Sequence, residues 1–119
     1  MLFEKKKGVS RFVDSLKNSL SGFFNALLTE SSFRQLFVLS GVLLVIALCI
    51  DVTKIERLFL IASCFLLLVV ELINTAIEST VDRVSLDIHP LSKRAKDIGG
   101  AAQLVTVLMA LTIWAVVLL

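Results

Sequence analysis

The apolar positions near the start of the chain recur at intervals of three and four residues. Between residues 9 and 28 they are Val9, Phe12, Val13, Leu16, Leu20, Phe23, Phe24, Leu27 and Leu28. This spacing predicts a helix with one apolar stripe and with polar residues such as Arg11 and Lys17 off the stripe. Because three lysines at 5–7 precede it and membrane spans follow, we expect the helix to lie in the membrane interface. A helix that packs on a soluble surface is the alternative.

Three long apolar segments follow this helix, at 33–50, 58–80 and 98–119. Each approaches the roughly 20 residues that a helix needs to cross a bilayer. The composition agrees, because 57% of the 119 residues are apolar, more than a soluble domain of this size can bury. We therefore predict a single-domain, all-α membrane protein over residues 1–119. It has an N-terminal amphipathic interfacial helix region at 1–29 and three transmembrane helices.

The basic residues are distributed unevenly around the predicted spans. They cluster before the first span and between the second and third, at Lys5, Lys6, Lys7, Arg11, Lys17, Arg34, Arg83, Lys93, Arg94 and Lys96. The link between the first two spans has only Lys54 and Arg57. The positive-inside rule places the N-terminus and the second link in the cytoplasm and the C-terminus outside. The formal net charge of +2 is too small to indicate nucleic-acid binding.

Polar residues interrupt the second apolar segment near its end. After the apolar run to Val70 the chain continues Glu71-Leu-Ile-Asn74-Thr-Ala-Ile-Glu78-Ser-Thr-Val-Asp82. On a helix that turns about 100° per residue, this spacing places the four polar side chains on one face. We call Glu71, Asn74, Glu78 and Asp82 the polar ladder. It is about 16 Å long and rises from membrane depth to the cytoplasmic surface.

Carboxyl groups at membrane depth cost several kcal/mol unless they are paired, protonated or hydrated. Adhesion between helices is one explanation for them, although Asn or Ser would provide it at lower cost. Carboxylates and an amide that open to the cytoplasm also suit a hard divalent cation, and Glu30 lies at the same membrane level as Glu78. With basic residues at the mouth, this is the arrangement that a nucleoside triphosphate needs. The deeper Glu71 suits a general base acting on a membrane-borne hydroxyl.

Two segments of the sequence resemble a known family. The block from Glu71 to Arg83, followed by His89-Pro-Leu-Ser-Lys-Arg-Ala-Lys-Asp97, closely resembles the prokaryotic diacylglycerol kinases. Glu30-x-x-Phe33-Arg34-Gln35 is similar to the motif that precedes the first span of this family. The resemblance covers essentially the whole chain, although the first 25 or so residues match loosely. It implies a homotrimer in the bacterial inner membrane, with active sites at subunit interfaces near the cytoplasmic face.

The resemblance also implies a reaction and a set of site residues. ATP with Mg²⁺ would phosphorylate the hydroxyl of diacylglycerol to give phosphatidic acid, with Glu71 as the base. The implied metal ligands are Glu30 and Glu78. The implied nucleotide-site residues are Arg11, Asn18, Glu30, Glu78, Asp87, His89, Lys96 and Asp97. The implied lipid-site residues are Arg11, Ser15, Ser19, Arg34, Gln35, Glu71 and Trp114, and the supporting residues are Asn74, Asp82 and Arg94. Asn18 departs from the pattern, because the family has an aromatic residue there and this chain contains no Tyr.

Several alternatives remain at this stage. Relatives with the same fold phosphorylate undecaprenol instead, whereas Phe33-Arg34-Gln35 and the Trp-bearing third span favour diacylglycerol. A small ion or proton transporter would also use intramembrane carboxylates, but the outer half of the second span, 58–70, offers only Ser63 and Cys64 as polar side chains. A structural assembly subunit is a third possibility. Among single residues, His89 suits a turn before Pro90, and Trp114 suits an interfacial anchor.

Overall fold

Four helices make up the computed structural model, which describes residues 7–84 and 89–119. They are α1 (Gly8–Thr29), α2 (Ser31–Cys49), α3 (Lys54–Val84) and α4 (Pro90–Leu118). Helices α2, α3 and α4 are long and apolar enough to cross a membrane. The prediction of an all-helical chain with three apolar spans is therefore confirmed.

The third and fourth helices extend beyond the apolar segments that predicted them. Helix α3 continues to Val84, and α4 begins at Pro90 rather than at Ile98. Pro90 occupies the first turn of α4, where a proline costs no hydrogen bond. Much of the charged segment 82–97, which was predicted to link the second and third spans, is therefore helical. Those of its charged residues that the structure describes lie on the ends of α3 and α4 that extend past the apolar segments.

Side chains satisfy the backbone groups at several helix ends. Thr53 and Glu56 form a reciprocal capping box at the start of α3, with N···O distances of 3.0 and 3.2 Å. Arg57 donates to the carbonyl oxygens of Ala47 (2.7 Å) and Ile50 (3.1 Å), which lie at the end of α2. The amide of Leu91 donates to His89 Nδ1 over 3.0 Å, so His89 is the N-cap of α4.

Helix α3 is central, packing against α4 on one side and α2 on the other, while α1 contacts α2 and α3. Small and polar residues lie in the seam between α3 and α4, including buried Ser63, Gly99, Thr106 and Ala110. At such positions two helix backbones approach closely. Trp114 Nε1 of α4 donates to Ser63 Oγ of α3 over 3.0 Å. Because Trp114 near the end of α4 meets Ser63 in the first third of α3, the two helices run antiparallel.

Large apolar side chains cover the outside of the helices. The stripe of α1 is itself exposed, with Phe12 at 69% and Leu16 at 50% of full accessibility. The chain therefore buries few of its apolar residues internally. This distribution agrees with a protein whose apolar surface is covered by lipid or by further copies of the chain.

Replacement of Ser63 by Ala should lower the unfolding midpoint in detergent micelles. Ser63 is fully buried, donates to Leu60 O (2.6 Å) and accepts from half-buried Trp114, so the change leaves the indole N–H without this acceptor. We expect a loss of about 1–3 kcal/mol. Ser40→Ala is the matched control, because among the described residues buried Ser40 Oγ has no hydrogen-bond partner. If Ser63→Ala and Ser40→Ala have equal unfolding midpoints by circular dichroism, the Ser63–Trp114 contact is not stabilising.

Candidate active site

The carboxylate of Glu71 is buried in the middle of the helix bundle, at 9% of full accessibility. Its two oxygens have different partners. Ser32 Oγ of α2 donates to Oε1 over 3.3 Å, and Gln103 Nε2 of α4 donates to Oε2 over 3.1 Å. Helices on both sides of α3 therefore supply donors to one acid, and hydrogen bonds of this kind reduce the cost of burying it.

The next rung of the polar ladder is buried Asn74, at 8% of full accessibility. Asn74 Nδ2 donates to Glu78 Oε1 over 3.2 Å. Within the described residues, Asn74 Oδ1 is buried and has no hydrogen-bond partner. Gly99 of α4 lies against this oxygen so closely that a Cβ at position 99 would collide with it. The absence of a side chain at Gly99 thus makes room for the Asn74 amide.

Opposite charges meet at the outer end of the polar ladder. Lys96 Nζ of α4 contacts Asp82 Oδ1 of α3 over 2.5 Å, and Lys93 contacts Asp97 Oδ2 over 2.6 Å, one helical turn away in α4. Lys93, Asp97 and Asp82 are largely exposed, and Lys96 is partly exposed, with 40% of its side chain accessible. Exposed pairs of this kind contribute little stability and exchange partners readily. Lys96 and Asp97, both predicted at the nucleotide site, are therefore accessible to a ligand.

A groove between α1 and α3 runs beside the polar ladder. It encloses about 620 Å³. Its lining includes Ser19 and Glu30, two of the predicted site residues, opposite Leu72, Thr75, Ala76 and Ser79 of α3. Glu30 is half-buried and lies in extended backbone between α1 and α2. The structure therefore places Glu30 beside residues 72–79 of α3, and its pairing with Glu78 stays a prediction.

Other predicted residues lie on the exposed face of α1. These are Arg11, Ser15 and Asn18. Ser15 accepts a hydrogen bond through its backbone oxygen from Ser19 Oγ over 2.9 Å. The geometry of this single chain does not bring them to Glu71, and their roles stay predictions.

Three predicted lipid-site residues have distinct surroundings. Arg34 Nη1 donates to the carbonyl oxygens of Leu27 (3.2 Å) and Leu28 (2.8 Å), and thus ties the end of α1 to α2. Gln35 is exposed. Trp114 contacts Ser63, which is about 12 Å from Glu71 along α3 at 1.5 Å per residue. The structure therefore separates Trp114 from the polar groups around Glu71.

The remaining predicted residues lie near the start of α4. His89 caps this helix, and Arg94 is exposed on its first turns. Asp87 lies outside the described residues.

Within 7–84 and 89–119, no three His, Cys, Asp or Glu side chains are grouped to hold a metal ion. The donors at the ladder still suit magnesium, which is commonly held by one or two carboxylates together with phosphate oxygens. Glu78 offers an exposed carboxylate. The assignment of magnesium ligands stays a prediction.

Sequence reasoning missed Gln103 and Ser32, although both touch the Glu71 carboxylate. The available signal for Gln103 was weak. It is an amide within an apolar segment and lies four residues after Gly99, so it shares a face of α4 with that glycine. Ser32 adjoins the Glu30 motif but had no distinguishing pattern.

Taken together, the site has a buried acid, an adjacent amide–carboxylate pair and basic groups at its outer end. This combination can accept a proton at membrane depth and hold a polyanion at the surface.

Comparisons with known proteins agree over nearly the whole chain. The family model for prokaryotic diacylglycerol kinase matches residues 17–118. The chain is 49% identical over 117 residues to the diacylglycerol kinase of Pseudomonas aeruginosa, covering 98% of this chain and 95% of that protein. It is 40% identical over 111 residues to the diacylglycerol kinase of Escherichia coli strain K12, covering 93% of this chain and 91% of that protein. It is 41% identical over 110 residues to the diacylglycerol kinase of Helicobacter pylori strain 26695, covering 92% of this chain and 86% of that protein.

Adjacent glycines give a direct test of the seam beside Asn74. Gly99→Ala should destabilise the protein by about 1–3 kcal/mol, because the new Cβ displaces the Asn74 amide. At Gly100 an added Cβ meets nothing within 4 Å, so Gly100→Ala should be neutral or stabilise α4. Unfolding midpoints in micelles measure both. A Gly99→Ala protein as stable as Gly100→Ala would contradict the described contact.

Proposed function

The chain belongs to the prokaryotic diacylglycerol kinase family, and we propose that it transfers the γ-phosphoryl group of ATP to the free hydroxyl of 1,2-diacylglycerol. The products are phosphatidic acid and ADP. The single observation that carries the proposal is the buried Glu71 carboxylate, which begins a one-sided polar ladder. The polar ladder combines a proposed base at the depth of a lipid hydroxyl with polar groups that extend toward the aqueous surface.

In the proposed reaction Glu71 accepts the proton of the lipid hydroxyl. The hydroxyl oxygen forms a bond to the γ-phosphorus while the bond from this phosphorus to the β–γ bridging oxygen breaks. ADP carries away the electron pair of that bond. A carboxylate held by donors from α2 and α4 suits this role, because a base must be oriented before the proton moves.

Mg²⁺ is the proposed cofactor, and Glu78 and Glu30 are its proposed ligands. When bound, Mg²⁺ neutralises charge on the phosphates. Asn74 supports the site, because its Nδ2 holds Glu78 while its Oδ1 has no partner among residues 7–84 and 89–119. Because Glu30 lines the groove beside α3, both acids lie close to the inner half of that helix.

Cationic and polar groups at the outer end of the polar ladder are the proposed nucleotide contacts. Lys96 and Asp97 are already engaged in exposed ion pairs, with Asp82 and Lys93 respectively. A polyphosphate attracts Lys96 more strongly than one carboxylate does. We propose that nucleotide binding exchanges the Lys96–Asp82 pair for a Lys96–phosphate contact, with further contacts from the family-implied positions: Arg11, Asn18, Asp87 and His89.

A homotrimer is the proposed assembly, with each site completed by a neighbouring copy. Two features support it. The outer end of the polar ladder, Glu78 and Asp82, is exposed in a single chain, and so are many large apolar side chains. The proposed membrane is the bacterial inner membrane, with the N-terminus and active site on the cytoplasmic side, as the basic clusters at 5–7 and 93–96 indicate.

A direct assay should show whether diacylglycerol or undecaprenol is the phosphoryl acceptor. Purified protein in mixed micelles with Mg²⁺ and γ-labelled ATP should label diacylglycerol as phosphatidic acid, because the proposed base lies at the depth of a lipid hydroxyl. An undecaprenol arm with the same protein is the control for acceptor choice. Label only in undecaprenyl phosphate would overturn the proposed acceptor. Label in neither lipid would contradict the kinase activity and favour the transporter hypothesis.

The Mg²⁺ dependence should change when either proposed ligand is neutralised. Glu78→Gln and Glu30→Gln should each raise the Mg²⁺ concentration for half-maximal rate by about tenfold or more, because a charged ligand is lost. Glu56→Gln is the matched control, since Glu56 caps the opposite end of α3. If Mg²⁺ titrations of Glu78→Gln and wild type coincide, Glu78 is not a ligand.

A further inference from the structure

Gln103 is a polar side chain in the otherwise apolar part of α4. It is half-buried, and its Nε2 donates to two acceptors on α3. One acceptor is the backbone oxygen of Leu67 and the other is Glu71 Oε2, each at 3.1 Å. Within the described part of the chain, Gln103 Oε1 is buried without a partner.

An amide in this position is costly, because its Oε1 has no hydrogen-bond partner among residues 7–84 and 89–119. A leucine or methionine would fill the same seam without that cost. The bond to Leu67 O has a specific consequence, since it anchors one N–H of the amide to the α3 backbone. The other N–H is then directed at Glu71, four residues further along α3.

The two oxygens of Glu71 therefore differ. Oε2 accepts from an amide anchored on the α3 backbone, whereas Oε1 accepts over a longer 3.3 Å contact from Ser32, an exposed residue in the first turn of α2. A serine hydroxyl rotates away from a weak contact at small cost. Oε1 is thus the oxygen that can exchange its present donor for another hydroxyl.

We propose that Gln103 is a positioning residue, which holds Glu71 Oε2 and thereby presents Oε1 to the hydroxyl of the lipid substrate. This inference rests on the proposed function. Ser32 occupies the place of the substrate hydroxyl in the resting chain, because it donates an O–H to the same oxygen. Gln103 itself touches the acid and takes no part in bond making.

Replacement of Gln103 by Met tests the role at nearly constant volume. We expect kcat to fall roughly 10- to 100-fold, the range for one hydrogen bond to a charged group. The KM values for ATP and diacylglycerol should stay within about twofold of wild type, because positioning the base leaves substrate binding unchanged. Thr106→Val is the control, since buried Thr106 lies on the same face of α4 and its hydroxyl donates to Ala102 O of its own helix.

A double-mutant cycle distinguishes the positioning of Glu71 by Gln103 from a general packing role of Gln103 between α3 and α4. Glu71→Asp retracts the carboxylate by one methylene, so that Gln103 no longer holds it. In this background Gln103→Met should lower kcat by no more than about threefold, because there is little interaction left to lose. An equal loss in both backgrounds would show that Gln103 acts independently of Glu71 and would overturn the proposal.

An infrared measurement tests the same contact without using activity. The difference spectrum between wild type and Glu71→Gln identifies the carboxylate stretch of Glu71. That band should shift in Gln103→Met and stay in place in Thr106→Val. If the band does not shift in Gln103→Met although the wild type phosphorylates lipid, the role of Gln103 is overturned and the proposed function is not. A wild type that phosphorylates no lipid would overturn the proposed function, and with it the catalytic part of this role, even if the band shifts.

Discussion

The burial of one carboxylate governs how this chain is built. A carboxyl group inside an apolar helix costs several kcal/mol unless other groups compensate it. The structure compensates Glu71 from both flanks of α3, through Ser32 of α2 and Gln103 of α4. This requirement explains why α3 is central, because only a helix with neighbours on two sides can surround a buried acid. Glu71 in this position is the group proposed to accept a proton from a membrane lipid.

The remaining polar groups follow from the same constraint. The Asn74 amide fits under α4 because Gly99 has no side chain there, and Asn74 in turn holds Glu78. Further along, exposed Asp82 pairs with Lys96. Glu71 and Asn74 are thus buried, whereas Glu78 and Asp82 are exposed. In the outer half of the same helix, the buried Ser63 hydroxyl is engaged with Leu60 and Trp114. This one-sided arrangement motivates the proposal that the site meets a lipid at depth and a nucleotide at the surface.

The features that could be predicted from sequence are those with a period or a length. Apolar runs predicted α2, α3 and α4, and the spacing from Glu71 to Asp82 predicted one polar face. Gln103 could not be predicted as a partner of Glu71, because its contact joins residues 32 positions apart and depends on how α4 is rotated against α3. The early start of α4 was missed because the charged residues before Ile98 resemble a loop in composition, although Pro90 and the His89 cap start the helix there. A proposed contribution from a neighbouring copy involves contacts between chains, which the residue pattern of one chain does not describe.

The most direct test of the account is the turnover of a Glu71→Gln protein in mixed micelles with diacylglycerol, ATP and Mg²⁺. Gln has nearly the same shape as Glu but cannot accept the proton. The account predicts that kcat falls roughly 100- to 10,000-fold, the usual contribution of a general base, while nucleotide binding and assembly match wild type. Turnover at the wild-type rate would contradict it, because Glu71 would then be a buried structural acid and another group would activate the hydroxyl.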